Sequence, residues 1–304
     1  MRGLRKTYYR TFRRTGNDAL RGMDLTVPEG SAFGLIGPNG AGKTTFIKSI
    51  LGIVQPTAGT VRVLGGSPDD PRIRARIGYL PERLHLPGSW TPTAFLGTVG
   101  QLKGLKPDAP GHLRLLERVG LADAVGRKIG GYSKGMRQRL GLAAALVGSP
   151  SLLILDEPTD GIDPMGRLEV RRILLDEVQR GTTLFLNSHL LAETERVCNR
   201  VAILADGRVV REGRLEDLAR GGARWVVRFA PGVDAAALGA VGFTRGSADG
   251  VYHVEAHDPA ALNAALDRAR SVGALLVELR RDGTDLESVL LGTMAPAGAV
   301  EVAA

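Results

Sequence analysis

The chain has 304 residues, 43% hydrophobic and 24% charged, enough to bury a full core and to divide into two or three units. Its 40 Lys and Arg outnumber 32 Asp and Glu, a formal net charge of +8, which suits nucleic acid, anionic lipid or nucleotide phosphates and selects none of them. The lone Cys198 excludes an intrachain disulfide and reads as a small buried residue of a protein in a reducing cytoplasm, and no apolar run reaches the roughly 18 residues of a membrane-spanning helix.

Part of the basic excess lies in RGLRKTYYRTFRR at the start. LTVPEGSAFGLIG (25–37) predicts two strands joined at a Pro-Glu-Gly turn, the second feeding a glycine-rich loop and then the helix KTTFIKSILGI. A strand, loop and helix in that order open an α/β nucleotide fold. From about 83 to 148 the apolar spacing becomes helical, with helices expected over TPTAFLGTVGQLKGL and GHLRLLERVGLADA, which reads as a helical insert in the α/β core. SLLILDEP (151–158) and TTLFLNSH (182–189) are short apolar runs ending in polar residues, as buried parallel strands do. RVAILADGRVVREG (200–213) predicts a hairpin turning at Asp206-Gly207. After Gly221-Gly222 come WVVRF, a helix near 233–240, GFTR, VYHVEA, a helix near 259–272 and ALLVELR. That βαββαβ order predicts a small α+β, ferredoxin-like domain over 221–293, following a main domain over 1–220, with a disordered small-residue tail at 294–304.

The chemistry sits in the first domain. GPNGAGKT (37–44) fits G-x-x-x-x-G-K-[ST] between a strand and a helix, the context that this pattern requires. Backbone N–H groups along Gly37, Pro38, Asn39, Gly40, Ala41 and Gly42, proline excepted, and at the helix N-terminus would cradle phosphates. Lys43 would reach the β- and γ-phosphates, and the Thr44 hydroxyl would hold Mg²⁺. Asp156 and Glu157 follow an apolar strand; the first suits a nucleotide-bound Mg²⁺ and the second an attacking water that needs a base. His189 is expected at the C-terminal edge of the same sheet, where open α/β sheets bind ligands.

Taken in order, the phosphate loop (37–45), GYLPE (78–82), YSKGMRQR (132–139), LLILDEP (152–158), TDGID (159–163) and NSH (187–189) make the chain resemble the ATP-binding subunit of an ABC transporter across about residues 4 to 215. The resemblance implies a phosphate-loop NTPase core of ABC type, with ATP and Mg²⁺ as cofactors and Thr45 and Asp163 added to the nucleotide contacts. It also implies that two copies meet head to tail, so that Ser133 and Gly135 touch the γ-phosphate bound to the partner. Tyr8 matches the aromatic residue that stacks on adenine, with Tyr9 as the alternative. The usual signature is Leu-Ser-Gly-Gly-Gln; Tyr132, Lys134 and Met136 depart from it, and Lys134 is expected to add positive charge near an anion. Glu82 stands where glutamine is common and would offer oxygen to Mg²⁺ or water. Family members begin several residues further upstream, which implies a shortened first strand or a start codon assigned late.

The resemblance further implies a separately encoded membrane permease, a place on the inner face of the cell membrane through that permease, and no nucleic-acid partner. The glutamate at 82, the YSKGM variant and the C-terminal domain are similar to those of exporters of the drug-resistance type. The alternative is a soluble ABC-type ATPase acting on nucleic acid or the ribosome, whose usual second nucleotide unit or long coiled coil this sequence lacks.

Overall fold

The computed structural model describes residues 1–10, 13–219, 224–246 and 248–281. The expected tail at 294–304 and the Gly221-Gly222 pair lie outside the described residues. The chain divides into two compact units, Met1–Arg214 and Leu215–Ala304.

The first unit opens with β1 (Arg2–Arg10) and β2 (Arg13–Met23), an antiparallel pair. It continues through β3 (Ala32–Ile36), α1 (Lys43–Ile50), β4 (Ala58–Thr60), α2 (Pro71–Ala75) and β5 (Ile77–Leu80). The helices α3 (Pro92–Leu102), α4 (Ala109–Arg118) and α5 (Lys134–Leu146) follow. The chain returns to the core as β6 (Leu152–Asp156), α6 (Pro164–Gln179), β7 (Thr183–Asn187), α7 (Leu191–Val197), β8 (Arg200–Ala205) and β9 (Arg208–Arg214).

The main sheet runs β5-β6-β7-β3-β8-β9, parallel throughout except for the β8–β9 hairpin. Every residue of β3, β6 and β7 is buried, which is why these strands read as continuous apolar runs and not as alternations. Because they are parallel, β3, β6 and β7 deliver Gly37, Glu157 and Ser188 to one edge of the sheet. Phe185 packs between Phe33 and Phe46, with ring centroids 5.9 and 5.8 Å away, at the centre of an apolar cluster that also holds Leu4, Met23 and Ile154. The hairpin turns where expected: Asp206 and Gly207 both have positive φ, 46° and 73°, as a two-residue type I′ turn demands.

The sequence reading fails at two places here. Leu25–Val27, expected as a strand, is irregular. Leu25 exchanges main-chain hydrogen bonds with Met1 alone, and Pro28 has no N–H with which to extend a ladder. The β1–β2 pair, which joins β4 in a separate sheet of order β2-β1-β4, carries no readable alternation. Three register irregularities interrupt it, and among its described side chains only Leu4, Leu20 and Met23 are buried.

The second unit contains α8 (Leu215–Ala219), β10 (Arg224–Phe229), α9 (Ala235–Ala240), β11 (Thr244–Arg245), β12 (Val251–Glu255), α10 (Pro259–Ser271) and β13 (Leu276–Arg281). Its sheet is antiparallel at every pairing, in the order β11-β12-β10-β13. Val227, Phe229, Leu238, Phe243, Tyr252 and Leu266 form its core. Asp258 caps α10, its Oδ1 accepting from the Ala261 N–H at 2.7 Å.

Candidate nucleotide-binding site

The loop between β3 and α1 owes its shape to glycine. Gly40 and Gly42 have φ of 83° and 104°, a region open to few other residues. A Cβ on Gly37 would come 2.2 Å from the Leu204 carbonyl oxygen, and one on Gly42 would come 2.4 Å from that of Ala19. A Cβ on Gly207 would likewise come 2.8 Å from the Ala19 carbonyl oxygen, while the Gly207 N–H donates to Ala41 O at 3.0 Å and its carbonyl accepts from Arg21 N–H at 2.8 Å. The backbone of the loop is thus wedged between β2 and the β8–β9 turn. Gly42 starts α1 without a side-chain cap, so the N–H groups of the first turn are available to an anion.

Lys43 Nζ donates to Gly37 O at 2.6 Å and Pro38 O at 2.9 Å. Burial lowers its pKa, opposed by the carboxylates of Glu157, Asp156 and Glu82. Asp156 is 3% exposed and accepts from Asn187 Nδ2 at 2.5 Å; burial raises its pKa and the Asn187 amide opposes that shift. Glu157 sits one residue past the strand with φ of 54°, a conformation unfavourable for a residue with a Cβ. Its backbone is held by Asn187 O, which accepts the Glu157 N–H at 2.9 Å, and by Gln138 Nε2, which donates to Glu157 O at 3.0 Å. Its carboxylate meets His189 Nδ1 at 2.7 Å and accepts from the His189 N–H at 2.8 Å and from Ser188 Oγ at 3.4 Å. Burial raises the Glu157 pKa as well, and the His189 contacts oppose that rise.

Lys43, Glu157 and His189 line one cavity of ≈ 670 Å³, together with Thr44 and Thr45 of the loop, Glu82, Asp160, Tyr8 and Asn17. Tyr8, 42% exposed, lines it; Tyr9, 71% exposed, does not. Asn17 and Asp18 also line the cavity and had no signal in the sequence beyond a polar turn; Asp160, which lines it too, falls within the TDGID motif, which does not single it out. Ser133, Gly135 and Asp163 lie outside it. Ser133 caps α5, with Oγ accepting from the Met136 N–H at 3.2 Å. Asp163 caps α6, with Oδ1 accepting from the Gly166 N–H at 2.8 Å, which lowers its pKa. Tyr132, in place of the usual leucine, is buried, and its hydroxyl donates to Ala124 O at 2.8 Å. A larger cavity of ≈ 890 Å³, between the insert and the loops leading into β6 and β7, contains none of the expected site residues.

The donor set fits a magnesium ion that arrives with nucleotide. Among the described residues no cluster of His, Cys, Asp and Glu could hold a metal alone, and Mg²⁺ is ordinarily held by one or two carboxylates together with substrate phosphates. Thr44 and Glu82 line the cavity, Asp156 is a buried carboxylate beside it, and the buried Asn187 Oδ1 has no hydrogen-bond partner. These are hard oxygen groups of the kind that Mg²⁺ and its waters take.

Fold and site together define a phosphate-loop nucleotide-binding protein. The ABC transporter family matches residues 20–160. An uncharacterized ABC transporter ATP-binding protein of Nostoc sp. is 44% identical over 204 residues, covering 66% of this chain and 61% of that one. The chain spans about three fifths of the length of this relative and of a second from Synechocystis sp., at 61% and 58%. The daunorubicin/doxorubicin resistance ATP-binding protein of Streptomyces peucetius is 35% identical over 296 residues, covering 95% of this chain and 87% of its own. A solved structure of the ATP binding subunit of an ABC transporter superposes with a TM-score of 0.65 at 31% identity, over 72% of this chain and 90% of that one. The chain belongs to the ABC transporter ATP-binding proteins.

Proposed function

We propose that this chain hydrolyses ATP as one half of a head-to-tail dimer that closes around two ATP molecules and powers export through separately encoded membrane permease subunits. The observation that carries the proposal is the convergence of Lys43, Glu157 and His189 on a cavity floored by the uncapped start of α1. In the reaction, an attacking water gives its proton to Glu157 as its oxygen bonds the γ-phosphorus, and the bond from that phosphorus to the β–γ bridging oxygen breaks to release ADP and phosphate. Lys43 and the α1 N–H groups hold the phosphates, and His189 orients the Glu157 carboxylate. Mg²⁺, held by Thr44, Asp156 and Glu82, would neutralise phosphate charge. Tyr8 stacks on adenine. Ser133 and Gly135, which lie outside their own chain's cavity, complete the site of the partner, with Asp163 beside them at the junction.

Export as the task rests on the relatives: one is named for daunorubicin/doxorubicin resistance and another for Nod factor export. Among the described residues no helix is long and apolar enough to cross a membrane, so the reading requires a partner permease, with this chain at the inner membrane face. We read the second unit as ferredoxin-like, on the antiparallel order β11-β12-β10-β13, which puts its first and third strands at the centre. Domain boundaries of 1–220 and 221–293 remain part of the proposal.

The test is Glu157→Gln. It should retain Mg-ATP binding, lose hydrolysis by about a hundredfold or more, and elute as an ATP-dependent dimer in size-exclusion chromatography. Turnover near the wild-type rate with only monomer present would refute the assignment.

A further inference from the structure

Lys134 occupies a place where the usual signature has glycine, at the start of the helix that presents Ser133. The structure turns its charge inward, toward its own chain. Nζ donates to Asp160 Oδ2 at 2.8 Å, and the methylenes pass over Gly161, where a Cβ would lie 2.4 Å from Lys134 Cδ. One turn further along the same helix face, Gln138 holds the Glu157 carbonyl. Positions 134 and 138 of α5 therefore grip the two ends of the segment 157–160.

Asp160 belongs to the catalytic end of the cavity. Its N–H donates to Glu157 O at 3.2 Å, Asp160 lines the cavity with Glu157 and His189, and Lys134 does not line it. The Lys134 hydrogen bond holds the Asp160 carboxyl below the usual carboxylate range, so Asp160 is an anion. With Glu82 and Glu157 it would face the terminal phosphate of a bound triphosphate, and an anion left unneutralised there repels that phosphate.

We infer that Lys134 is a positioning residue that neutralises and fixes Asp160, and so sets the preference of its own chain's cavity for triphosphate over diphosphate. It does not serve as a phosphate ligand for the partner's nucleotide. The inference rests on the ATP-binding function proposed above and does not require the dimer.

The test is equilibrium binding of MgATPγS and MgADP to the full chain, dilute enough to be monomeric. Lys134 and Asp160 are 66% and 43% exposed, so the effect is modest and screened by salt. Lys134→Ala should weaken triphosphate binding about two- to fivefold and leave diphosphate binding nearly unchanged, with the difference shrinking in about 0.5 M salt. Lys134→Arg should behave as wild type, and adding Asp160→Asn to Lys134→Ala should restore the triphosphate affinity. Equal losses for both nucleotides, no loss, or no rescue by Asp160→Asn would overturn the role of the pair while leaving the ATPase reading in place. A wild-type chain that bound neither nucleotide would overturn both.

Discussion

Both carboxylate oxygens of Glu157 are engaged by His189, one by the ring Nδ1 at 2.7 Å and the other by the main-chain N–H at 2.8 Å. The pair spans adjacent strands, since Glu157 follows β6 and His189 lies two residues past the end of β7. Parallel pairing of Asp156 with Asn187 brings them together. The clamp fixes the carboxylate, while Asn187 O and Gln138 Nε2 hold the Glu157 main chain in its positive-φ conformation.

A pH dependence follows. Burial raises the Glu157 pKa, and a base must be deprotonated to act, so turnover should fall as pH drops through a point above the ordinary glutamate value of 4.5. The His189 contacts oppose the rise, so His189→Ala should move the acid limb of kcat/KM to higher pH and lower activity most at the acid end. A pH–rate profile of the two proteins decides this; an unmoved limb would show that His189 does not set the basicity of Glu157.

Mixing two inactive chains tests the shared site. A Ser133→Arg chain keeps its cavity and a Lys43→Ala chain keeps its signature, so each alone should be nearly inactive while their heterodimer regains one working site. Activity of the mixture should approach half that of wild type per heterodimer. Proven heterodimers without recovery would count against the composite site.

Glu82 is exposed and lines the cavity, where the proposed reaction uses it as an oxygen donor toward Mg²⁺ and not as the base. Glu82→Gln keeps an oxygen donor and should change basal turnover by less than about tenfold, about 1.4 kcal/mol of barrier. A loss as deep as that of Glu157→Gln in a steady-state ATPase assay would make Glu82 a rival for the base.

Phe185 is 2% exposed and contacts two aromatic rings. Phe185→Ala should cost about 3–5 kcal/mol of stability, measured by urea denaturation. A cost below about 1 kcal/mol would mean that the site collapses around the gap.

The elements that shape the candidate site were legible because their constraints are local. Gly40 and Gly42 are required by backbone conformation, Asp156 and Glu157 by the end of an apolar strand, and Asp206-Gly207 by a type I′ turn. What escaped was set by distant pairing. Leu25–Val27 has the composition of a strand and lacks a partner ladder, whereas β1 and β2 have a ladder and lack the alternation. Asn17 and Asp18 reach the cavity only because β2 folds back on Tyr8. The Lys134–Asp160 contact joins residues 26 positions apart, so neither residue's own surroundings in sequence announce it.

The carbonyl oxygen of Ala19 is approached by Gly42 from the phosphate loop and by Gly207 from the far hairpin, and Ala19 lies two residues along β2 from Asn17, the partner of Tyr8. The main chain of β2 from Asn17 to Ala19 therefore links the Tyr8 side of the cavity to the start of α1. On the proposed function that span acts as a gauge: the separation between base and phosphate cradle is set before any nucleotide arrives. Discrimination by the number of phosphates is left to the end of the cavity that this frame does not reach, where Glu157, Asp160 and His189 stand on the loops after β6 and β7.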